Sequence, residues 1–322
     1  MYFRIVLPRF LYSRRDRLPR LFFPSFERLK ELHRSFSASD HDSAHARSAE
    51  FSRLVSELCF GGSWKYTKLG RNRQSNQLLV ELFRMRKPLA LELLDVGASD
   101  GITTWEMLNA ISSNLGISVS AALIDKYLTL VCRSNGFVKE YSTSDGKAVF
   151  ARFGPIGIVL ERSHENAYRR FHFRHFVSDF FYRKFVYRYL RCSSFRNRLA
   201  QIERISLINP MVESDKRICP FEKDVFSLHA EWIGRFDVVR VANVLNPGRF
   251  SLLAMNKAVA ILSDCIKDGG FLVMSRNPSD CLNGHEDASI WEKKDGKLAL
   301  ISECGVGFEL SSLNAVHSVS ER

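Results

Sequence analysis

Residues 91–108 read LELLDVGASDGITTWEML, and this stretch decides the fold. Leu91–Val96 is a compact apolar run that closes on an acid, which predicts a buried central strand. Gly97-Ala98-Ser99-Asp100-Gly101 predicts a tight turn. Thr103 and Thr104 can cap the helix that follows, and Glu106 sits in its first turn, where a carboxylate favours the positive end of the dipole. A strand, a glycine turn and a helix N-terminus let backbone approach a ligand closely and point unpaired N–H groups at it. No GK[ST] closes the turn, so it is not a P-loop, and its spacing departs from GxGxxG.

The next apolar run, Ser118–Ile124, ends in Asp125, 24 residues beyond Gly101. That is close to the spacing at which open α/β nucleotide sites place a carboxylate for ribose hydroxyls. A carboxylate suits the task because it can accept from both hydroxyls at once. Ile205–Pro210 is also a strand-to-helix junction, and Asn209 could hold the same position.

The turn resembles motif I of the class I S-adenosylmethionine-dependent methyltransferases, an acidic residue followed by GxGxG. Asp95-Val96-Gly97-Ala98-Ser99-Asp100-Gly101 matches it, except that Ser99 replaces the middle glycine. Asp125 matches motif II. Asp224-Val225-Phe226 resembles the motif III acid that reaches the adenine amino group, with Val225 or Phe226 walling the ring. Phe236–Asn246 resembles motif IV, the central strand whose end faces the reacting methyl. Asn246-Pro247 is similar to the start of an (N/D)PP(Y/F) signature, but Gly248 and Arg249 follow, which counts against DNA adenine methylation. A helix over Ser251–Ile266, the stop Lys267-Asp268-Gly269-Gly270 and the strand Phe271–Ser275 complete the family order. Hairpin signals over 290–302 follow at the sheet edge.

The resemblance implies S-adenosylmethionine as cofactor, with Asp95, Gly97, Ser99, Asp100, Gly101, Asp125, Asp224, Val225 and Asn243 around it. It implies no metal. Asn243, Asn246 and Tyr66 are candidates to position the acceptor. Trp64, Lys65, Tyr66 and Arg71 precede motif I, where such enzymes often cover the pocket; a basic surface loop with Trp64 in the core fits the same residues. The expected fold is α/β: a Rossmann-like, doubly wound, mostly parallel seven-stranded sheet with an antiparallel C-terminal hairpin. An N-terminal helical extension and an insertion after the second strand are added to it.

Residues 1–48 are expected to form a basic extension and linker, 49–125 and 205–322 the methyltransferase domain, and 126–204 a basic, aromatic insertion. SASDHDSAHARS (37–48) reads as the linker, and Ala49–Phe60 as a short amphipathic helix. Ser144-Asp145-Gly146-Lys147 signals a hairpin inside the insertion. In 171–190, nine of twenty residues are Phe or Tyr, and as a helix this stretch could pack on the core or lie in a membrane interface. His172 and His175 have helical spacing, and metal binding there is not expected.

Charge is uneven. Residues 1–90 and 151–204 carry +10 and +8, and the remainder −6, giving +12 in all. Such basicity suits an anionic partner, whether membrane surface, RNA or acidic substrate. The seven cysteines show no CxxC pair, which argues against a zinc site or a secreted disulfide framework. A cytoplasmic location, with peripheral membrane contact as an option, follows from these features. Three functions stay open: methylation of a small or lipid-linked acceptor, RNA methylation, and a binding module that keeps the fold without turnover.

Overall fold

A computed structural model of the 322-residue chain describes residues 2–6, 25–36, 41–60, 63–134, 138–153, 156–161, 184, 201–227, 230–246, 250–277 and 285–308. In chain order the first strands are β1 Tyr2–Val6, β2 Cys59–Phe60, β3 Ser63–Trp64, β4 Ala90–Val96 and β5 Ser118–Asp125. There follow β6 Thr129–Ser134, β7 Val138–Thr143, β8 Ala148–Phe153, β9 Ile156–Glu161 and β10 Gln201–Ser206. The last are β11 Ile218–Glu222, β12 Phe236–Ala242, β13 Ile266–Arg276, β14 Asp287–Lys294 and β15 Lys297–Cys304. The helices are α1 Phe26–Arg34, α2 His41–Ser56, α3 Arg73–Arg86, α4 Ile102–Leu115, α5 Pro210–Glu213 and α6 Leu252–Cys265.

The chain divides into two compact units, Met1–Tyr66 with Thr129–Pro210, and Thr67–Leu128 with Met211–Arg322. Residues 49–66, which the sequence groups with the glycine-turn strand, fall in the first unit. The reason is packing: Phe51 and Val55 of α2 and Leu58 just beyond it are fully buried, and Phe60 meets Phe150 edge-on with ring centroids 5.7 Å apart. The expected linker 37–48 is helical from His41 onward, because Ala44 and Ser48 continue the buried face of α2.

In the first unit, six antiparallel strands lie in the order β1-β9-β8-β7-β6-β10. The expected hairpin is present. Gly146 takes φ 80° in its turn, and the Thr143 N–H donates to the Lys147 carbonyl at 2.9 Å. The sheet is larger than a hairpin, for β10 returns to pair with β6 and the N-terminal β1 pairs with β9. Helix α1 buries Phe26, Leu29 and Leu32, one face at a spacing of three, and Phe26 stacks on Tyr141 at 4.1 Å. The aromatic stretch 171–190 lies outside the described residues apart from Lys184, as do His172 and His175.

In the second unit the strand order is β11-β5-β4-β12-β13-β14-β15. The first five are parallel and the last two antiparallel, as the sequence leads one to expect. Numbered within the sheet, the parallel part runs 3-2-1-4-5, the doubly wound order, whose direction of winding reverses between β4 and β12. Alternation along each strand assigns the faces. Leu94, Val96, Val239, Val241, Leu272 and Met274 pack with Met255, Ala258, Val259 and Leu262 of α6. The opposite face lies under α3 and α4, where Phe83 meets Phe271 at 5.3 Å.

The glycine turn is built into this packing. Gly97 takes φ 70°, and a Cβ placed on it would lie 2.1 Å from Cγ2 of Val244. Gly101 takes φ 83°, and its Cβ would lie 2.9 Å from both Leu123 and Val212. Both glycines therefore serve backbone conformation and close approach within the protein itself. Gly97→Ala is expected to destabilise the second unit by about 2–4 kcal/mol, from left-handed strain plus overpacking. Urea unfolding measures this, and Gly97→Ala with Val244→Ala should recover the overpacking part alone.

Candidate functional site

Ligands of doubly wound sheets collect outside the carboxyl ends of the strands where the winding reverses, here the ends of β4 and β12. The register places Arg240 of β12 directly beside Asp95 of β4. Both side chains point to the face under α3 and α4 and are buried, at 0% and 2% exposure. Arg240 Nε donates to Asp95 Oδ1 at 2.9 Å, and Nη2 donates to Oδ2. Nη2 also donates to Thr103 Oγ1 at 3.2 Å, and Nη1 reaches Asn76 Oδ1 at 3.4 Å. The Thr104 hydroxyl donates to Asp95 Oδ2. Asp95 is therefore an anchor beneath the turn, with both carboxylate oxygens engaged by protein groups. The threonines expected to cap α4 serve this pair instead, and Gly101 stands at the N-cap.

The turn consumes its own N–H groups. Gly97 and Ala98 both donate to the Ile124 carbonyl, at 2.8 and 3.1 Å, and Gly101 donates to the Ala98 carbonyl at 2.9 Å. Asp100 is fully buried, and its Oδ1 accepts from the Ile102 N–H at 3.1 Å and the Thr67 hydroxyl at 2.9 Å. Ser99 takes φ 61°, the left-handed conformation a glycine would adopt at no steric cost, and its N–H donates to Asp125 Oδ2 at 2.9 Å. The expectation of unpaired N–H groups aimed at a ligand is thus corrected for residues 97, 98, 99, 101 and 102, where closing the turn takes them all.

Asp125 stands at the end of β5 beside Ser99, and its Oδ1 accepts from the Tyr127 N–H at 3.1 Å. Asn209 lies in the first unit, fully buried on α2. Its Nδ2 donates to the Ser48 carbonyl and to Ser52 Oγ, each at 3.0 Å, and its Oδ1 accepts from the Ser48 hydroxyl. Asp224, just past β11, accepts from Lys126 Nζ at 2.8 Å and from the Phe226 N–H at 3.2 Å. Val225 is a core residue of the α6 face, while Phe226 is half-buried edge-on to Phe250 at 5.9 Å.

On the other side of the reversal, Asn243 takes φ 60° at the end of β12. Its Nδ2 donates to Asn277 Oδ1 at 2.9 Å, and its Oδ1 accepts from the Asn277 N–H at 2.8 Å. Arg71 Nε donates to the same Asn277 oxygen at 2.7 Å, and Asn277 Nδ2 donates back to the Arg71 carbonyl. Asn246 is exposed, and residues 247–249 of the expected signature lie outside the described residues. Lys65 is buried and Tyr66 exposed, both in the first unit. Trp64 pairs with Cys59 in a short ladder of that unit.

Residues 67–76 form a strap across these strand ends. Thr67 is tied to Asp100, and the Gly70 N–H to Glu106 at 2.8 Å. Arg71 is tied to Asn277, Ser75 to the fully buried Glu286, and Asn76 to Arg240. Two polar atoms beside it are buried with no hydrogen-bond partner among the described residues, Asn72 Oδ1 and Ser275 Oγ. A groove of 470 Å³ runs between α3 and α4, lined by Arg73, Gln77, Glu81, Arg84, Glu106 and Asn114. It lies along the helices rather than at the reversal, so the strand ends and not this groove define the candidate site.

Strand order, glycine turn and a carboxylate at the end of the second parallel strand together give this unit a Rossmann-like, doubly wound fold. No known protein family and no curated protein matches the chain by sequence. Among solved structures it is similar to the YcgJ protein of Bacillus subtilis, with 13% identity and TM-score 0.29 over 63% of this chain and 50% of that one. It is similar to a protein from Plasmodium falciparum described as a putative protein-L-isoaspartate O-methyltransferase in complex with S-adenosyl-L-homocysteine. That match has 10% identity and TM-score 0.32 over 89% of this chain and 99% of the other. An O-methyltransferase family protein of Burkholderia thailandensis matches with 12% identity and TM-score 0.30, over 80% and 52%. The chain thus spans about half the length of two of these three proteins. At these scores the likeness carries no argument, and the class of the fold rests on the strand order and the turn.

Two predictions follow from the charged groups. Arg240→Met leaves the Asp95 carboxylate buried without its partner and should cost about 3–5 kcal/mol in urea unfolding. Adding Asp95→Leu should restore most of that. Burial pushes the Glu106 carboxyl above its ordinary 4.5, against the Gly70 N–H and the charges of Arg240 and Arg73. A raised folded-state value means the native state binds this proton more tightly, so its contribution is present below 4.5 and is lost as pH rises through the shifted value. Glu106→Gln should flatten the stability–pH curve in that window, as measured by melting between pH 4 and 7.

Proposed function

We propose that the second unit binds S-adenosylmethionine and transfers its methyl group to a small-molecule acceptor. The observation that carries this reading is the combination at the turn: the N–H groups of Gly97, Ala98, Ser99, Gly101 and Ile102 are taken within the protein, while Asp125 stands beside it. A phosphate-bearing dinucleotide calls for free backbone donors at such a turn. A nucleoside cofactor without phosphates asks only for an acceptor of ribose hydroxyls. Asp125 accepts an N–H on each oxygen, and a carboxylate suits the task because it can accept from two vicinal hydroxyls at once.

On this reading Phe226, edge-on to Phe250, walls the adenine, and Asp224 accepts its amino group alongside Lys126. Val225 supports Phe226 from the core. Asp95 acts through the turn and touches no ligand. Asn243, held left-handed by Asn277, lines the far end at the strand where the winding reverses. When bound, the cofactor supplies an electrophilic methyl, so the protein's work is to align the acceptor and exclude water. The strap 67–76, fastened at five points, serves that exclusion.

A binding module without turnover is the second reading. The observation favouring it is that Asn243 and Arg71, two of the groups the sequence nominates for the pocket, are both bonded to Asn277. Calorimetry with S-adenosylhomocysteine tests the cofactor site. The wild type should bind with Kd on the order of micromolar, about −8 kcal/mol, and Asp125→Ala at least about tenfold more weakly. Well-folded wild type that binds nothing overturns the proposal. Binding without methyl transfer to any acceptor supports the second reading.

A further inference from the structure

The 470 Å³ groove between α3 and α4 lies wholly within the second unit and apart from the strand ends. Helical spacing builds its walls. Arg73, Gln77, Glu81 and Arg84 share one face of α3, and Glu106, Ala110 and Asn114 recur every fourth residue on α4. One end is fixed where the Gly70 N–H, just ahead of α3, donates to both oxygens of Glu106 at 2.8 and 3.0 Å. Arg73 stands at this end, where its charge acts on Glu106.

Unspent charge distinguishes the groove. Elsewhere in this unit the described arginines are engaged: Arg86 with Glu292, Arg217 with Asp215, Arg235 with Glu92, Arg240 with Asp95, Arg276 with Asp287, and Arg71 with Asn277. Arg73 and Arg84 make no hydrogen bond or ion pair among the described residues. Glu81 and Gln77 each lie one turn from an arginine on the same helix face, and they too are unspent. All four side chains are exposed. Arg84 follows Arg73 by three helical turns, about 16 Å along the axis, a distance that an extended chain covers in about five residues.

We propose that this groove binds a short acidic segment of a partner protein in extended form, with one carboxylate side chain at each end. Guanidinium forks match carboxylates, so Arg73 and Arg84 hold the two ends. Between them, Glu81 and the Asn114 side-chain oxygen accept from peptide N–H groups; the Asn114 amide nitrogen already donates to the Ala110 carbonyl at 2.7 Å. A phosphate chain brings no backbone donors and would set like charge against Glu81 and Glu106. This site is independent of the methyl-transfer reading.

The test is calorimetry on the full chain at low salt, with the capped pentapeptide Glu-Gly-Ser-Gly-Glu as probe. The wild type should bind it with Kd below about 1 mM. An exposed ion pair is worth up to about a fivefold change. Arg73→Gln and Arg84→Gln should therefore each weaken binding about fivefold, and the double variant about twentyfold. Gln-Gly-Ser-Gly-Gln should bind the wild type about twentyfold more weakly than the acidic probe. Neither arginine is spent in the folded chain, so the double variant should melt within about 1 °C of wild type and keep its S-adenosylhomocysteine affinity. Absence of binding, equal binding of the two peptides, or undiminished binding by the double variant overturns the proposal. So does displacement of the probe by equimolar inorganic phosphate, or tighter binding of a single-stranded RNA that the double variant loses. Failure of S-adenosylhomocysteine binding alone leaves this site standing and overturns the cofactor reading instead.

Discussion

A buried ion pair sets the terms for the second unit. Asp95 and Arg240 lie side by side in the two central strands, out of contact with water, and neither charge is tolerable there without the other. Satisfying both requires hydrogen bonds from the start of α4 and from α3. The pair thereby holds β4, β12 and both helices to one geometry, with the glycine turn directly above it. Its value is in specification as much as in stability: a hydrophobic pair could fill the space, but would not dictate where Thr103, Thr104 and Asn76 must stand.

From that pair the site grows upward in layers. The N–H groups of Gly97, Ala98, Ser99 and Gly101 go to Ile124, Asp125 and the turn itself, which fixes its shape. Asp125 both closes the turn, through Ser99, and faces outward from the strand end. Ser99 shows the cost of the arrangement, since a side-chain residue is held where glycine is at ease. On the far side, Asn243, Asn277 and Arg71 are bonded to one another.

Most of the parallel sheet was legible because its strands are uniform apolar runs with sharp glycine or acidic ends, as in Leu91–Val96 and Phe236–Ala242. The helix Leu252–Cys265 was legible by its periodicity and its stop, and Ser251 caps it by accepting the Ala254 N–H. What could not be read came from long-range pairing. Nothing in YFRIV (residues 2–6) announces a strand that pairs with residues 156–161. The polar residues 41–48 look like linker until Ser48 and Ser52 are seen holding Asn209. Arg240 was passed over as part of a motif strand, although a cation alternating with valines in a buried run, beside a strand carrying an acid at matching parity, is a signal for such a pair. Acids near a glycine turn suggest ligand contacts; Asp95 and Asp100 are also buried, with Asp95 bonded to Arg240 and Thr104 and Asp100 to Thr67 and Ile102.

The ion pair also has a history within each new chain. Asp95 and Arg240 are separated by 145 residues, and the whole of the antiparallel unit's later half is synthesised between them. At about 5–20 residues per second, the carboxylate of β4 waits roughly 7–30 s for its partner to emerge from the ribosome. During that interval β4 and β5 can pair, but their central acid has no cation, and burying it would be strongly unfavourable. The nascent parallel sheet is therefore held open from its middle until β12 arrives, while β6 to β10 have the time to pair first.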